Sequence, residues 1–335
     1  MSGLLIVTDA WHPQVNGVVR SLDRLGQELR QKGMEVHYLT PLDFKTVPCP
    51  TYPEIRLSLT MGRGVAKKIN EINPDYVHIS TEGPLGFWAR RYCRQRGKAF
   101  TTSYHTRFPE YLAARFPVPL SLSYAALRWF HNPGSCCMVA TPSLKRDLDA
   151  RGFFNLRYWG RGVDLELFHP RAEKKLDYPG PLMLYVGRVA VEKNIEAFLE
   201  MNVEGTKIVV GDGPQRAELE GRYPDVKFLG LKEGQDLAEI YASCDVFVFP
   251  SKTDTFGIVL LEALASGLPV AAYPVMGPLD VIGDSGVGSL KEDLAEAVTE
   301  ALKIDPQTCL AYARSYSWEA SANQFLSNIA KFNHD

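Results

Sequence analysis

Residues 247–272, FVFPSKTDTFGIVLLEALASGLPVAA, constrain the fold more than any other stretch of the chain. An apolar run at 246–249 ends in Pro250 and a polar loop, Gly257 opens a helical pattern, and a second apolar run follows Pro269. Strand, loop, helix and strand in such quick succession belong to a parallel sheet. The first amides of the helix lack backbone partners and carry the positive end of its dipole, so this end attracts phosphate. Glu262 lies inside an otherwise apolar segment, where a carboxylate needs a reason. At about 1.5 Å of rise per residue it stands roughly 7 Å along the axis from Gly257, within reach of a ligand hydroxyl while the amides hold a phosphate. Two readings stay open. In one, Asp254 caps the helix, Thr255 assists and Glu262 is a satisfied core acid; in the other, the segment holds the phosphate and sugar of a nucleotide-sugar.

The same alternation runs through the chain. Buried strands are predicted at 3–8, 36–39, 76–79, 99–103 and 137–140, with helical spacing after Gly17 (Val18, Val19, Leu22, Leu25, Leu29) and at 66–72, 85–96 and 144–151. After a Gly, Asp and Pro-containing stretch at 161–170, the rhythm restarts with strands at 182–186, 207–210, 226–229, 246–249, 270–272 and 287–289. Helices are predicted after the fourth of these and at 290–302, 307–315 and 318–332. The expected fold is therefore α/β: two Rossmann-like, doubly wound domains facing across a cleft, residues 1–167 and 168–317, with 318–335 packing back on the N-terminal domain. The linking stretch predicts closure of the two on a ligand.

Ligands bind such sheets at the carboxyl ends of the strands, where Asn16, Gly17, Tyr104, His105 and Thr106 fall. His105 is either a structural histidine or part of that site. Residues 108–130 carry three prolines and many large apolar side chains, including Tyr111, Phe116 and Trp129. They read either as a packed helical hairpin or as an acceptor groove or membrane lip, with Arg107, Arg115 and Arg128 meeting headgroups. In the second half, Gly187-Arg188 and Lys193 follow a strand. Two cations beside a positive helix end suit a diphosphate, the alternative being an Arg188–Glu192 pair. A further glycine turn at 211–214 is open to both a structural and a binding reading.

Several classes fall away. Six cysteines show no CxxC pair, which predicts buried thiols in a reducing compartment and no zinc site. No apolar run reaches the ~18 residues of a membrane span, and the chain begins directly in a strand, so no secretory signal is expected. GxGxxG, P-loop, HExxH and GxSxG motifs are absent. Asp147 and Asp149 mimic a metal-binding DxD, but residues two apart on a helix face different directions. The net charge of −2 hides an asymmetry: residues 1–167 hold 22 Lys and Arg against 14 Asp and Glu, residues 168–335 hold 15 against 25. The basic half suits an acidic partner domain or an anionic membrane surface; without a nucleic-acid fold signature, nucleic acid is not expected.

With these residues in view, the chain resembles the retaining glycosyltransferases of family four, which have the GT-B fold, and the likeness covers nearly its whole length. The family signature is a glycine-arginine element followed by a lysine, then an E-x7-E segment ending in a run of the type EALAxGxPV. Here it reads Gly187-Arg188 with Lys193, and Asp254-Thr255-Phe256-Gly257 with Glu262-Ala263-Leu264-Ala265-Ser266-Gly267-Leu268-Pro269-Val270. The resemblance implies Arg188 and Lys193 on the donor diphosphate and Glu262 on the ribose hydroxyls. It puts Thr255, Phe256, Gly257, Ile258 and Val259 around phosphate and sugar, Gly17 close to the donor, and His105 on the transferred sugar. His105, Asp254, Arg188 and Lys193 would carry the catalytic roles. Asp254 departs from the family's usual Glu, and one methylene less makes it a determinant of donor choice. The segments DAWHPQVNGVVRSL, SYHTRFPEY and LRWFH are similar to the branch that glycosylates diacylglycerol-type or phosphoinositide lipids.

Membership of that family would make the chain a metal-independent, cofactor-free, retaining transferase acting at the cytoplasmic face of a membrane. It would move a hexose or hexuronic acid from UDP-glucose or UDP-glucuronate to a lipid hydroxyl, diacylglycerol above all. Arg107, Tyr111, Phe116 and Trp129 would serve the acceptor or the membrane. The alternatives are GDP-mannose as donor, a soluble glycan acceptor, an epimerase, and a non-catalytic nucleotide-sugar binding protein.

Overall fold

A computed structural model describes residues 2–14, 16–49, 52–113, 117–254, 256–330 and 332; the side chains of Cys49, residues 52–55 and Tyr111 lie outside the description. The chain divides into two compact units, Met1–Gly160 with Trp318–Asp335, and Arg161–Ser317. The division falls earlier than the 167/168 boundary expected from the sequence. Val163 donates to the Tyr316 carbonyl at 3.1 Å and Phe168 packs edge-on against Tyr241, which ties 161–167 to the second unit.

The first unit contains β1 (Gly3–Val7), α1 (Gly17–Gln31), β2 (Glu35–Leu39), β3 (Thr46–Cys49), β4 (Tyr52–Ser58), α2 (Gly62–Ile72), β5 (Tyr76–Ile79), α3 (Pro84–Gln95) and β6 (Thr101–Tyr104). It continues through α4 (Phe108–Ala113), α5 (Leu120–His131), β7 (Cys136–Val139), α6 (Pro142–Ala150) and β8 (Leu156–Tyr158). The main sheet is parallel in the order β2-β1-β5-β6-β7-β8. Side chains alternate across it: Leu5 and Val7 enter one core with Val65, Ile69 and Leu85, whereas Leu4 and Ile6 enter the other with Leu22, Leu25 and Leu29. A strand buried on both faces reads as a continuous apolar run, which is why β1 was legible.

The second unit holds β9 (Leu182–Val186), α7 (Ile195–Glu200), β10 (Thr206–Val210), α8 (Arg216–Arg222), β11 (Lys227–Gly230), α9 (Gly234–Ser243), β12 (Val246–Phe249) and α10 (Ile258–Ala265). It closes with β13 (Val270–Ala272), α11 (Met276–Val281), β14 (Gly288–Leu290), α12 (Leu294–Ala301) and α13 (Pro306–Ala313). Its sheet is also parallel, in the order β11-β10-β9-β12-β13-β14. The order reverses at β1/β5 in the first unit and at β9/β12 in the second, and each reversal opens a crevice at the carboxyl ends of the strands.

Several elements escaped the sequence reading. β3 and β4 pair antiparallel, apart from the main sheet, and each carries a proline that argues against a central strand. β8 is a three-residue edge strand, and α7, α8, α9 and α11 are short helices without a long periodic stripe. Residues 108–130 resolve into α4 and α5. The terminal helix α14 (Trp318–Asn328) ends earlier than predicted and packs within the first unit. There Ser321 Oγ accepts from Trp159 Nε1 at 3.1 Å and Gln324 Oε1 from the Gly160 amide at 2.8 Å.

Candidate functional site

In the second unit the residues singled out from the sequence meet at the β9/β12 reversal. Tyr185, at the end of β9, donates through its hydroxyl to the Arg188 carbonyl at 2.7 Å. The Gly187–Val189 backbone is stitched to the loop after β10 by Gly187 N to Val210 O (3.0 Å) and Val189 N to Asp212 O (2.9 Å). Gly211, at φ +141°, permits this approach, because a Cβ there would lie 1.9 Å from the Gly187 carbonyl oxygen. The second glycine turn thus braces the Arg188 loop. A 3-10 turn at Val191–Lys193 follows, and Asn194 Nδ2 donates to Pro250 O at 3.1 Å, fastening this loop to the end of β12.

Lys193 Nζ lies 2.5 Å from Asp254 Oδ1. Arg188 Nε and Glu192 Oε1 stand 4.0 Å apart, a loose pair. Asp254 does not cap α10: the N-cap is Gly257 at φ +79°, and there is no side-chain cap hydrogen bond among the described residues. Asp254 Oδ2 and the Ser251 hydroxyl are buried with no hydrogen-bond partner among the described residues. An uncapped helix start three residues after the Lys193-paired Asp254, with unsatisfied polar atoms in the same loop, has the form of an anion site. Phe256 is buried, Ile258 and Val259 are half-buried in the first turn of α10, and Thr255 lies outside the described residues. Glu262 is 4% exposed and accepts from the Tyr241 hydroxyl at 3.0 Å through Oε2.

The first unit gathers a second set at its own reversal. Asn16 Oδ1 accepts from Val18 N and Val19 N, both at 3.0 Å, so Gly17 opens a well-capped α1 and is exposed. Ser80, Thr81 and Glu82 follow β5. Ser80 Oγ meets His105 Nε2 at 2.8 Å, Thr81 Oγ1 donates to Asp9 Oδ2 at 3.0 Å, and Glu82 Oε1 meets His131 Nε2 at 3.0 Å. Asp9 also accepts from Leu85 N and Gly86 N at 2.9 and 3.3 Å, capping α3. Burial raises its pKa to about 6 against those lowering hydrogen bonds. His131 is fully buried; burial acts to lower its pKa, but Cys137 and Glu82 raise it, to about 10. Sequence reasoning reached His105 and missed Asp9, Ser80, Glu82 and His131. The available signal was a polar triplet directly after a buried strand.

The remaining expected residues, where described, have partners of their own. Arg107 closes a network with Glu110 (2.8 Å) and Asp147 (3.2 Å), and the Tyr124 hydroxyl donates to Glu110 at 2.7 Å. Asp147 also pairs with Arg151 at 3.1 Å and Asp149 with Lys145 at 2.8 Å. Trp129 is 55% exposed, stacks on Phe87 with ring centres 6.1 Å apart, and covers the Arg90 guanidinium at 3.8 Å. Arg115 and Phe116 lie outside the described residues, as does the Tyr111 side chain. Among the described residues no helix is long and apolar enough to cross a membrane, and no three His, Cys, Asp or Glu side chains converge as a metal ion requires.

Two family models match the chain, Glycosyltransferase Family 4 over residues 15–167 and Glycosyl transferases group 1 over 180–304. A sulfoquinovosyl transferase of Arabidopsis thaliana is 29% identical over 92% of this chain and 69% of its own length. A GDP-mannose-dependent alpha-mannosyltransferase of Corynebacterium glutamicum is 31% identical over 97% and 88%. An alpha-monoglucosyldiacylglycerol synthase of Streptococcus pneumoniae is 26% identical over 98% and 84%. Among solved structures, a sucrose-phosphate synthase from Thermosynechococcus elongatus superposes with a TM-score of 0.78 over 98% of both chains at 21% identity, which shows a shared fold. With two doubly wound units in one chain and both family models matched, this protein belongs to the family-four glycosyltransferases and has their GT-B fold.

Proposed function

We propose that this glycosyltransferase moves a hexose or hexuronic acid from UDP-glucose or UDP-glucuronate to a lipid hydroxyl, that of diacylglycerol above all, with retention and without a metal ion. The observation that carries the donor half is the uncapped start of α10 three residues after Asp254, which Lys193 meets, with Arg188 in the same loop as Lys193. Preorganised cations and amides stabilise the charge that builds on a departing diphosphate. Ile258 and Val259 in the first turn bring amides to the phosphate and sugar, and Glu262, with Oε2 on Tyr241, serves the ribose hydroxyls. Asp254 holds Lys193 and tunes donor choice; Gly17 and His105 belong to the acceptor-side unit.

In the reaction a bond forms between the acceptor oxygen and the anomeric carbon as the bond from that carbon to the diphosphate oxygen breaks. The acceptor proton passes to that leaving oxygen on the same face, so no enzyme carboxylate is needed as nucleophile. The lipid acceptor is supported by the likeness to the pneumococcal monoglucosyldiacylglycerol synthase. The exposed Phe87–Trp129 pair and the basic N-terminal half are suited to an anionic inner-face bilayer. A second reading, GDP-mannose as donor, is favoured by the corynebacterial relative. Arg188→Ala and Lys193→Ala should each lose most turnover while melting as the wild type does; near-normal activity in both would sink the donor assignment.

A further inference from the structure

Ser80, Thr81 and Glu82 each hold the end of a different element: His105 after β6, Asp9 after β1 and His131 at the end of α5. Glu82 differs from its partner in exposure. His131 is fully buried, whereas the Glu82 side chain remains 29% exposed. Thr102 Oγ1 donates to Cys136 O at 3.5 Å and meets His131 Nδ1 at 2.9 Å, so the hydroxyl accepts the Nδ1 proton. Nε2 meets Glu82 Oε1 at 3.0 Å, so both ring nitrogens have a polar partner. A buried ring nitrogen needs such a partner, which commits Oε1 of Glu82 to His131. No described residue donates to Oε2. That oxygen sits in the loop at the carboxyl end of β5, at the strand reversal where parallel sheets bind ligands. Ser80 meanwhile sets the ring of His105 two residues away.

We infer that Glu82 is an acceptor-binding, specificity-determining residue: Oε2 accepts a hydrogen bond from a hydroxyl of the acceptor and orients it for transfer, while His131 holds the carboxylate in place. The inference rests on the reading of the first unit as the acceptor side. It gives the carboxylate no role as nucleophile or base.

The test compares wild type with Glu82→Gln and Glu82→Asp, using UDP-glucose with diacylglycerol in mixed micelles and, separately, UDP-glucose hydrolysis without acceptor. Loss of a charge-assisted hydrogen bond made only to the acceptor raises the acceptor KM of Glu82→Gln by about 10- to 100-fold. Affinity for UDP and the rate of hydrolysis should stay within about twofold of wild type, a split that a merely structural ion pair does not produce. Glu82→Asp, which keeps the charge and retracts it, should fall between the two. An unchanged acceptor KM in both variants overturns the inference, as does hydrolysis falling in step with transfer or failure of both variants to fold. If wild type leaves diacylglycerol unmodified, the lipid reading fails, and the same KM comparison on glycerol and glucose decides Glu82. A wild type that uses none of these acceptors overturns both.

Discussion

Lys193→Ala should perturb the proposed donor site in two ways at once. Lys193 Nζ stands 2.5 Å from Asp254 Oδ1, and the two side chains are 23% and 17% exposed, so the pair is neither dry nor fully screened. An ammonium has three N–H donors and can hold Asp254 and a diphosphate oxygen together. The alanine variant should lose the proposed bond to the diphosphate, worth about 1.5–3 kcal/mol to a charged partner. It also leaves the Asp254 carboxylate uncompensated beside an incoming anion. Two unit charges about 5 Å apart at an effective dielectric of about 20 repel by ~3 kcal/mol, and exposure reduces this to about 1 kcal/mol. The total of about 2.5–4 kcal/mol is a roughly 70- to 900-fold loss of affinity for a nucleoside diphosphate. The repulsive part is recoverable: Lys193→Ala/Asp254→Asn should bind about fivefold better than Lys193→Ala alone. Isothermal titration of UDP and GDP into wild type, both single variants and the double variant reads this directly. A double variant no tighter than Lys193→Ala would refute the electrostatic reasoning, and wild-type affinity in Lys193→Ala would remove Lys193 from the site.

Other expectations are narrower. In Gly277→Ala the new Cβ would lie 2.8 Å from Asp254 O and 3.4 Å from Phe256 O, so the 254–256 backbone must shift. Such overpacking costs about 1–3 kcal/mol, and UDP affinity should fall together with the melting temperature. Asp9 is raised from 3.8 to about 6 by burial, so the folded chain keeps a proton that the unfolded chain releases. That contribution is present below about pH 4 and is lost as pH rises through about 6, on the order of 3 kcal/mol at most. Asp9→Asn should flatten this fall, as urea denaturation at pH 4.5 and pH 7 would report; parallel slopes would contradict it. Phe87→Glu and Trp129→Glu should each weaken co-sedimentation with anionic vesicles about tenfold or more at low salt. Unaltered partition would detach the aromatic pair from the bilayer.

The fold was legible because each sheet strand announces itself locally. The sequence ranges 76–79, 182–186, 246–249 and 270–272 coincide with β5, β9, β12 and β13, all strands buried on both faces. The residues proposed for the donor side stood out for a related reason: Arg188, Lys193 and Gly257 stand in the loops that follow strands, and parallel topology brings those loops together. What escaped depends on contacts between distant segments. His131 is 49 residues from Glu82, and its burial against Thr102 is a product of packing that no spacing encodes. Asp254 had a plausible local role as a cap, and the competing Lys193 ammonium, 61 residues away, won it instead. The pairing of Arg107 with Asp147, 40 residues on, is a contact of the same kind.

The central claim, transfer from a nucleotide-sugar to a lipid hydroxyl with retention, is tested most directly by the product. The chain would be incubated with labelled UDP-glucose, UDP-glucuronate, UDP-galactose and GDP-mannose in turn, each with diacylglycerol in anionic vesicles. The anomeric configuration of any lipid product would be read from its proton coupling constant. Label should enter the organic phase with UDP-glucose or UDP-glucuronate, with the anomeric configuration of the donor kept. Label confined to the aqueous phase with every donor, or a product of inverted configuration, would contradict it.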